Sequence, residues 1–267
     1  IDEPRIIIGK GMYGGSSFTP ETTAYADPTT GLGNHFVRSG SIISTLDSPT
    51  NGGDDNEYGN YATLNAAQEV WGGAVTLSNG NLTMAGTTAT VYDMQQSTIQ
   101  GLTSGKWIVA TRPNVLQGGE CDPWICNREG WDAHRVDWRG ANAWGTEVGG
   151  TTYMQDNNEG INTDHTISPP LAVAGDYSLI AFDVDGLKAW IGRHDESTGV
   201  TYWMDGGTGW TGDPSAGTDP TFTLTGAEFF VGFATYTGRG GDVDFGQGDM
   251  LSNVTIPTDY KFIATQN

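Results

Sequence analysis

The sequence predicts an all-β protein, an antiparallel β-sandwich with long loops, and three observations carry the prediction. Forty glycines stand against 16% charged residues in a chain of 267, a balance that favours many tight turns over helices. Two segments, Tyr177–Val184 and Phe229–Tyr236, are apolar on both faces of an extended chain, which is the pattern of central strands covered on both sides. No window carries a long apolar face at period 3.6, and the best helical candidate, Leu64–Val70, amounts to a turn or two.

Taken in order, the chain opens with IDEPRIIIGK, where Ile6, Ile7 and Ile8 form an apolar run that needs cover on both faces. It reads either as the last strand of an upstream domain or as an edge strand of the main one. Residues 27–60 are connector-like, with a short apolar patch at 41–46 followed by DSPTNGGDDNEYGN. Val75–Met84 and Thr88–Met94 read as strands around small turn residues, and Trp107–Thr111 as a buried strand. Residues 117–164 break the pattern with a long Trp-rich insertion. The spacing then predicts a hairpin, with Tyr177–Val184 and Lys188–Ile191 joined by a two-residue Asp185-Gly186 turn. A glycine-rich loop at 206–223 leads into Phe229–Tyr236. The loop matches G-x-G-x-x-G at 207–212, but DPSAGTDP follows where a dinucleotide site needs a helix.

The ordered segments GDYSLIAFDVDGLKAWIG, GDPSAGTDPTF, FFVGFATYT and VDFGQ, flanked by TLSNGNLTM with SGKWIVATRP and by IPTDYKFIATQN, resemble the SPRY-like domains of bacteriophage virion proteins. The resemblance runs from about residue 47 to the C-terminus and implies a SPRY/concanavalin-like jelly-roll sandwich whose loops bind a partner. The stretch IDEPRIIIGKGMYGGSSFTPETTAYAD is similar to the closing strand and exit loop of laminin-G/concanavalin-like domains. The expected organisation is therefore 1–50 as the end of an upstream sandwich plus connector, and 51–267 as the SPRY-like sandwich. On this reading the chain continues upstream of Ile1.

The formal net charge of −20, with 12 basic against 32 acidic residues, repels phosphate backbones and sets nucleic acid aside as a partner. Nothing approaches the ~18 apolar residues of a membrane span, and the opening decapeptide does not read as a signal peptide. Asp54, Asp55 and Glu57 are the candidates for calcium, although the EF-hand spacing is absent and a solvated loop accounts for them as well; no other cofactor is expected. Cys121 and Cys126, close together in CDPWIC, read as a local disulfide pinning a loop, which suits an extracellular particle.

The insertion supplies the candidate binding residues: Trp124, Trp131, Trp138 and Trp144 alongside Arg128, Asp132 and Arg135, with Trp210 as a possible neighbour from the glycine-rich loop. Flat aromatics beside polar groups suit the apolar C–H faces and hydroxyls of a sugar. Packing inward to hold a long loop together explains the tryptophans equally well. Catalytic signatures are missing: there is no E-x-D-x-x-E, no G-x-S-x-G and no H-E-x-x-H, and the four histidines, His35, His134, His165 and His194, lie in unrelated segments.

With the resemblance, these readings imply a non-catalytic phage virion protein, a tail fibre, adhesin or surface decoration, recognising a host polysaccharide or protein. Its expected location is the virion, outside the cell, with other virion subunits and copies of itself as partners. The alternatives are a structural capsid or tail component and, further off, a polysaccharide depolymerase.

Overall fold

The computed structural model describes residues 61–66, 75–86, 93–99, 101–114, 121–130, 142–147, 153–158, 161–166, 175–207, 209–235 and 239–264. All belong to one unit spanning Ser44–Asn267. The proposed upstream domain, the calcium candidates Asp54, Asp55 and Glu57, and Trp131, Asp132, Arg135 and Trp138 lie outside the described residues.

Two sheets account for nearly all the described secondary structure, with strands numbered along the chain. The first holds β1 (Val75–Ser78), β2 (Thr83–Gly86), β4 (Lys106–Pro113), β9 (Tyr177–Asp183), β10 (Lys188–Asp195), β11 (Val200–Trp203), β12 (Phe222–Thr223), β14 (Gly240–Asp244) and β15 (Lys261–Phe262). Its order is β1-β2-β14-β4-β9-β10-β11, with β12 beside β10 and β15 parallel to β4. The second holds β3 (Asp93–Gln96), β5 (Asp122–Asn127), β6 (Ala143–Glu147), β7 (Tyr153–Asn158), β8 (Ile161–Thr166) and β13 (Phe229–Thr235), in the order β3-β13-β5-β6-β7-β8. Every other described ladder is antiparallel, and short connections dictate this for β1–β2, β7–β8, β9–β10 and β10–β11.

The main core lies between the sheets. Ile180 and Phe182 of β9, Ile191 of β10 and Val109 of β4 face Phe229, Val231 and Phe233 of β13 and Ile125 of β5. The other face of β9, carrying Tyr177, Leu179 and Ala181, packs under Met250, Leu251, Val254 and Tyr260 from the C-terminal segment and its one-turn helix Met250–Asn253. β9 and β13 are thus apolar on both faces because both faces are covered. Leu64 is extended, bridging Ser97, and not helical.

The β9–β10 hairpin departs from the two-residue turn. Asp183 pairs with Lys188, so the loop has four residues, and the left-handed position falls on Leu187 (φ 52°), not on Gly186. The side chain of Asp183 accepts the Gly186 N–H (2.8 Å), while Asp185 accepts the Gly105 N–H across the sheet (2.9 Å). Two carboxylates that turn residues so often supply are here spent on closing the loop and tying it to its neighbour.

Candidate functional site

The predicted binding residues separate into core and surface. Trp124 and Trp144 sit in strands β5 and β6 with 3% and 0% of their surface exposed, so neither is a ligand platform. Trp144 joins the inter-sheet core, its ring 6.3 Å from Phe229. Trp124 lies on the outer face of the second sheet with Cys126, Ala143, Phe230 and Ala234, directly across from Gly232. A Cβ at Gly232 would stand 2.2 Å from the Trp124 ring, so only glycine leaves room for the indole there. The described part of the insertion read as loop is therefore a strand ladder, and alternation along it sends Trp144 to the inter-sheet core and Trp124 to the outer face, both buried.

The same geometry overturns the disulfide. Cys121 immediately precedes β5 and Cys126 lies within it, and the two are not bonded to each other. Five residues of extended chain span about 16 Å, far beyond the ~6.8 Å that a disulfide bridges between Cα atoms. An odd separation also sends the two side chains to opposite faces: Cys121 joins the inter-sheet core and Cys126 the outer cluster. Burial, aided by the charges of Asp122 and Asp242, pushes the Cys121 thiol well above its ordinary pKa.

Arg128 is half-exposed but engaged. Its guanidinium makes a bidentate pair with Glu228 (2.9 and 2.8 Å) and lies 4.5 Å over the Phe230 ring. It borders a cleft of about 410 Å³ with Asn127, Glu129, Asn142 and Thr225. Trp210 lines a different cleft, so the two are not parts of one site.

That second cleft, about 570 Å³, runs beside the edge strand β11 and is walled by Val200, Thr201 and Trp203, by the loop 210–215, and by Thr255, Ile256 and Pro257. Its volume falls in the ~300–1,000 Å³ range of small-ligand sites. Trp203 and Trp210 are both half-buried, and Tyr202, 39% exposed, meets Trp210 edge-on at 6.1 Å. Trp203 pairs with Gly192 across the β10–β11 ladder, where a Cβ would stand 2.7 Å from its ring. The described residues of the loop after β11, 204–207 and 209–221, are held by a set of internal bonds. Asp205 accepts the N–H groups of Gly207 (2.7 Å) and Gly209 (3.2 Å) and the Thr211 hydroxyl (2.9 Å). Partial burial works against its charge, but these three donors outweigh it and hold the carboxyl below the usual range. Lys188 and the Trp190 indole donate to the Gly217 and Thr218 carbonyls (2.7 and 3.0 Å), pinning the loop to β10. The Gly212 N–H reaches the Trp203 carbonyl (3.1 Å), so the loop also occupies one open position on the β11 edge.

Across the cleft, Ser215 Oγ accepts the Thr258 N–H (3.1 Å). Thr201 is fixed from behind by the buried His194 ring, 2.9 Å from its hydroxyl. His194 in turn stacks on Tyr177 at 5.2 Å. Trp203, Thr201, Asp213 and Ser215 were missed in the sequence. The usable signal was the alternation of β11, where VTYW places Thr201 and Trp203 on one face.

No protein-family model matches the sequence, and no curated protein sequence matches it. Similar solved structures include the SPRY domain of human HERC1, at 14% identity and TM-score 0.39, covering 64% of this chain and 90% of that one. The winged bean acidic lectin complexed with methyl-α-D-galactose matches at 10% identity and TM-score 0.38, covering 77% and 90%. The carbohydrate binding module CBM66 from Bacillus subtilis matches at 9% identity and TM-score 0.31, covering 65% and 94%. The chain's own two sheets and the core packed between them make it an antiparallel β-sandwich.

Proposed function

We propose that this sandwich is a non-catalytic recognition module that binds a glycan in the cleft beside β11. The observation that carries the reading is the pairing of two partly open indoles, Trp203 and Trp210, with the polar side chains of Thr201, Thr211, Asp213 and Ser215 in one cleft. Sugar rings present apolar C–H faces next to hydroxyls, and this lining offers a partner for each. The order of motifs along the chain, with its resemblance to phage SPRY-like domains, supports a place on a virion as a tail fibre, adhesin or surface decoration facing a host surface. Single contacts of this kind are weak, and several copies on one particle would raise avidity.

The two described clefts present one carboxylate each, Asp213 in one and Glu129 in the other. Hydrolysis of a glycosidic bond uses two, so the lining supports binding over depolymerisation. The structural alternative, a capsid or tail component, is favoured by a single feature: Val200 and Tyr202 are the exposed large apolar side chains of the described residues, 42% and 39% exposed, on one face of an edge strand. Binding of the full chain to host surface polysaccharide, measured by calorimetry, tests the proposal. Trp210→Ala and Trp203→Ala are expected to weaken it while the fold persists. Unchanged binding in both folded variants would move the site elsewhere.

A further inference from the structure

The β11 cleft is short of positive charge and rich in acceptors, and this bears on which glycans fit it. Among its lining residues the single ionisable side chain is Asp213. The cations on the neighbouring strand β10 are already committed: Lys188 donates to the Gly217 carbonyl, and Arg193 is held by Asp176 (2.5 Å) and Asp195 (3.6 Å). His194 is buried behind Thr201, with 2% of its surface exposed. The surrounding chain carries a net charge of −20.

The hydroxyls of the cleft have their polarity set by the bonds behind them. Thr211 donates its proton to Asp205 (2.9 Å), so toward the cleft it offers lone pairs only. Asp213 spends one oxygen on the Ala216 N–H (3.0 Å), and the other can only accept. Ser215 accepts from Thr258 and retains its own proton to donate. A ligand that satisfies Thr211 and Asp213 must bring O–H or N–H groups. Carboxylate, sulfate and phosphate groups bring none, and each would meet Asp213 as a like charge.

We infer that the cleft selects uncharged, hydroxyl-rich polysaccharide and rejects glycans bearing carboxylate, sulfate or phosphate groups. This rests on the glycan-binding reading above. Trp203 and Trp210 supply the stacking surface, Asp213 and Thr211 the acceptors, and Asp213 the discrimination against anions.

The test is an array of bacterial surface polysaccharides, each uronic-acid polymer immobilised both in its native form and after chemical reduction of its carboxyl groups, probed with the full chain at low and at physiological salt. Binding is expected on neutral polymers and on carboxyl-reduced forms, at least tenfold above their native counterparts, and lost in Trp210→Ala. Asp213→Asn, which keeps an acceptor for the Ala216 N–H, is expected to shrink the preference for the reduced form by threefold or more. If native acidic polymers bind as well as reduced ones and Trp210→Ala still abolishes binding, the cleft binds glycans and the charge selection is wrong. A preference unmoved by Asp213→Asn overturns the selection in the same way. If no polymer on the array binds the chain, the glycan reading falls and takes this inference with it.

Discussion

Trp124 and Trp203 occupy almost the same local setting and end in opposite surroundings. Each lies on a strand opposite a glycine, Gly232 for one and Gly192 for the other, and each lays its ring over the space where a Cβ would stand. Trp124 is on β5, in the middle of its sheet, and is 3% exposed. Trp203 is on β11, at the end of its sheet, and borders an open cleft. Trp144 and Trp210 repeat the contrast, one wholly inside the sandwich and the other at its rim. What separates core from cleft in this molecule is strand position and the packing above it, not the residue or its neighbours in sequence.

The largest expected break in that contrast comes from Trp144→Ala. Removing a fully buried indole from the inter-sheet core should cost about 3–5 kcal/mol, read as a lower midpoint of denaturant unfolding, with cleft binding unaffected in whatever fraction stays folded. Gly232→Val should follow, since its Cβ has no space beside Trp124; overpacking of this kind costs ~1–3 kcal/mol, visible as a lowered Tm. Trp210→Ala should reverse the balance. Glycan binding is expected to fall below detection, a weakening of at least tenfold or about 1.4 kcal/mol, with a smaller stability loss than Trp144→Ala. A variant that loses stability as Trp144→Ala does and binds normally would make Trp210 another core residue.

A further handle is pH. The Asp205 carboxyl is held below its ordinary value in the folded chain, so its contribution is complete above the unfolded carboxylate value and is lost as pH falls through the lower folded one. Tryptophan fluorescence from the Trp210 region should therefore change in that acidic window, and in Asp205→Asn the change should be absent. The smallest expected effect belongs to the cysteines. With Cys126 on the outer face of β5 and Cys121, just before that strand, in the inter-sheet core, adding a reductant should leave Tm where it was. A reductant-dependent drop would contradict the strand register of β5.

Sequence and structure agree best where the physics is period two. Ile180 and Phe182 alternate with Leu179 and Ala181, and Val231 and Phe233 with Phe230 and Ala234, so the two-sided burial of β9 and β13 was readable from the order of residues. CDPWIC misled because two cysteines so close in sequence read as pinning a loop, whereas the segment from Asp122 is a strand that also accommodates a proline. β6 pairs with β5 only from Trp124 onward, which leaves Pro123 at the end of that ladder. Asp185-Gly186 likewise carried a real turn signal, but the register of Asp183 with Lys188 decided the loop length.

The sequence by itself determined an all-β chain, its central strands, its acidic surface and the lack of familiar catalytic strings, because these follow from composition and local alternation. Only the tertiary structure decided which tryptophans face a cleft. Residues 199–201 with 203, 210–215 and 255–257 meet there from three separate stretches of chain, brought together by the edge position of β11, by the anchoring of its loop to β10 through Lys188 and Trp190, and by the return of the C-terminal segment over the first sheet. Long-range pairing of this kind leaves no periodic trace in the order of residues, so a rim tryptophan and a core tryptophan look alike until the sheets are assembled.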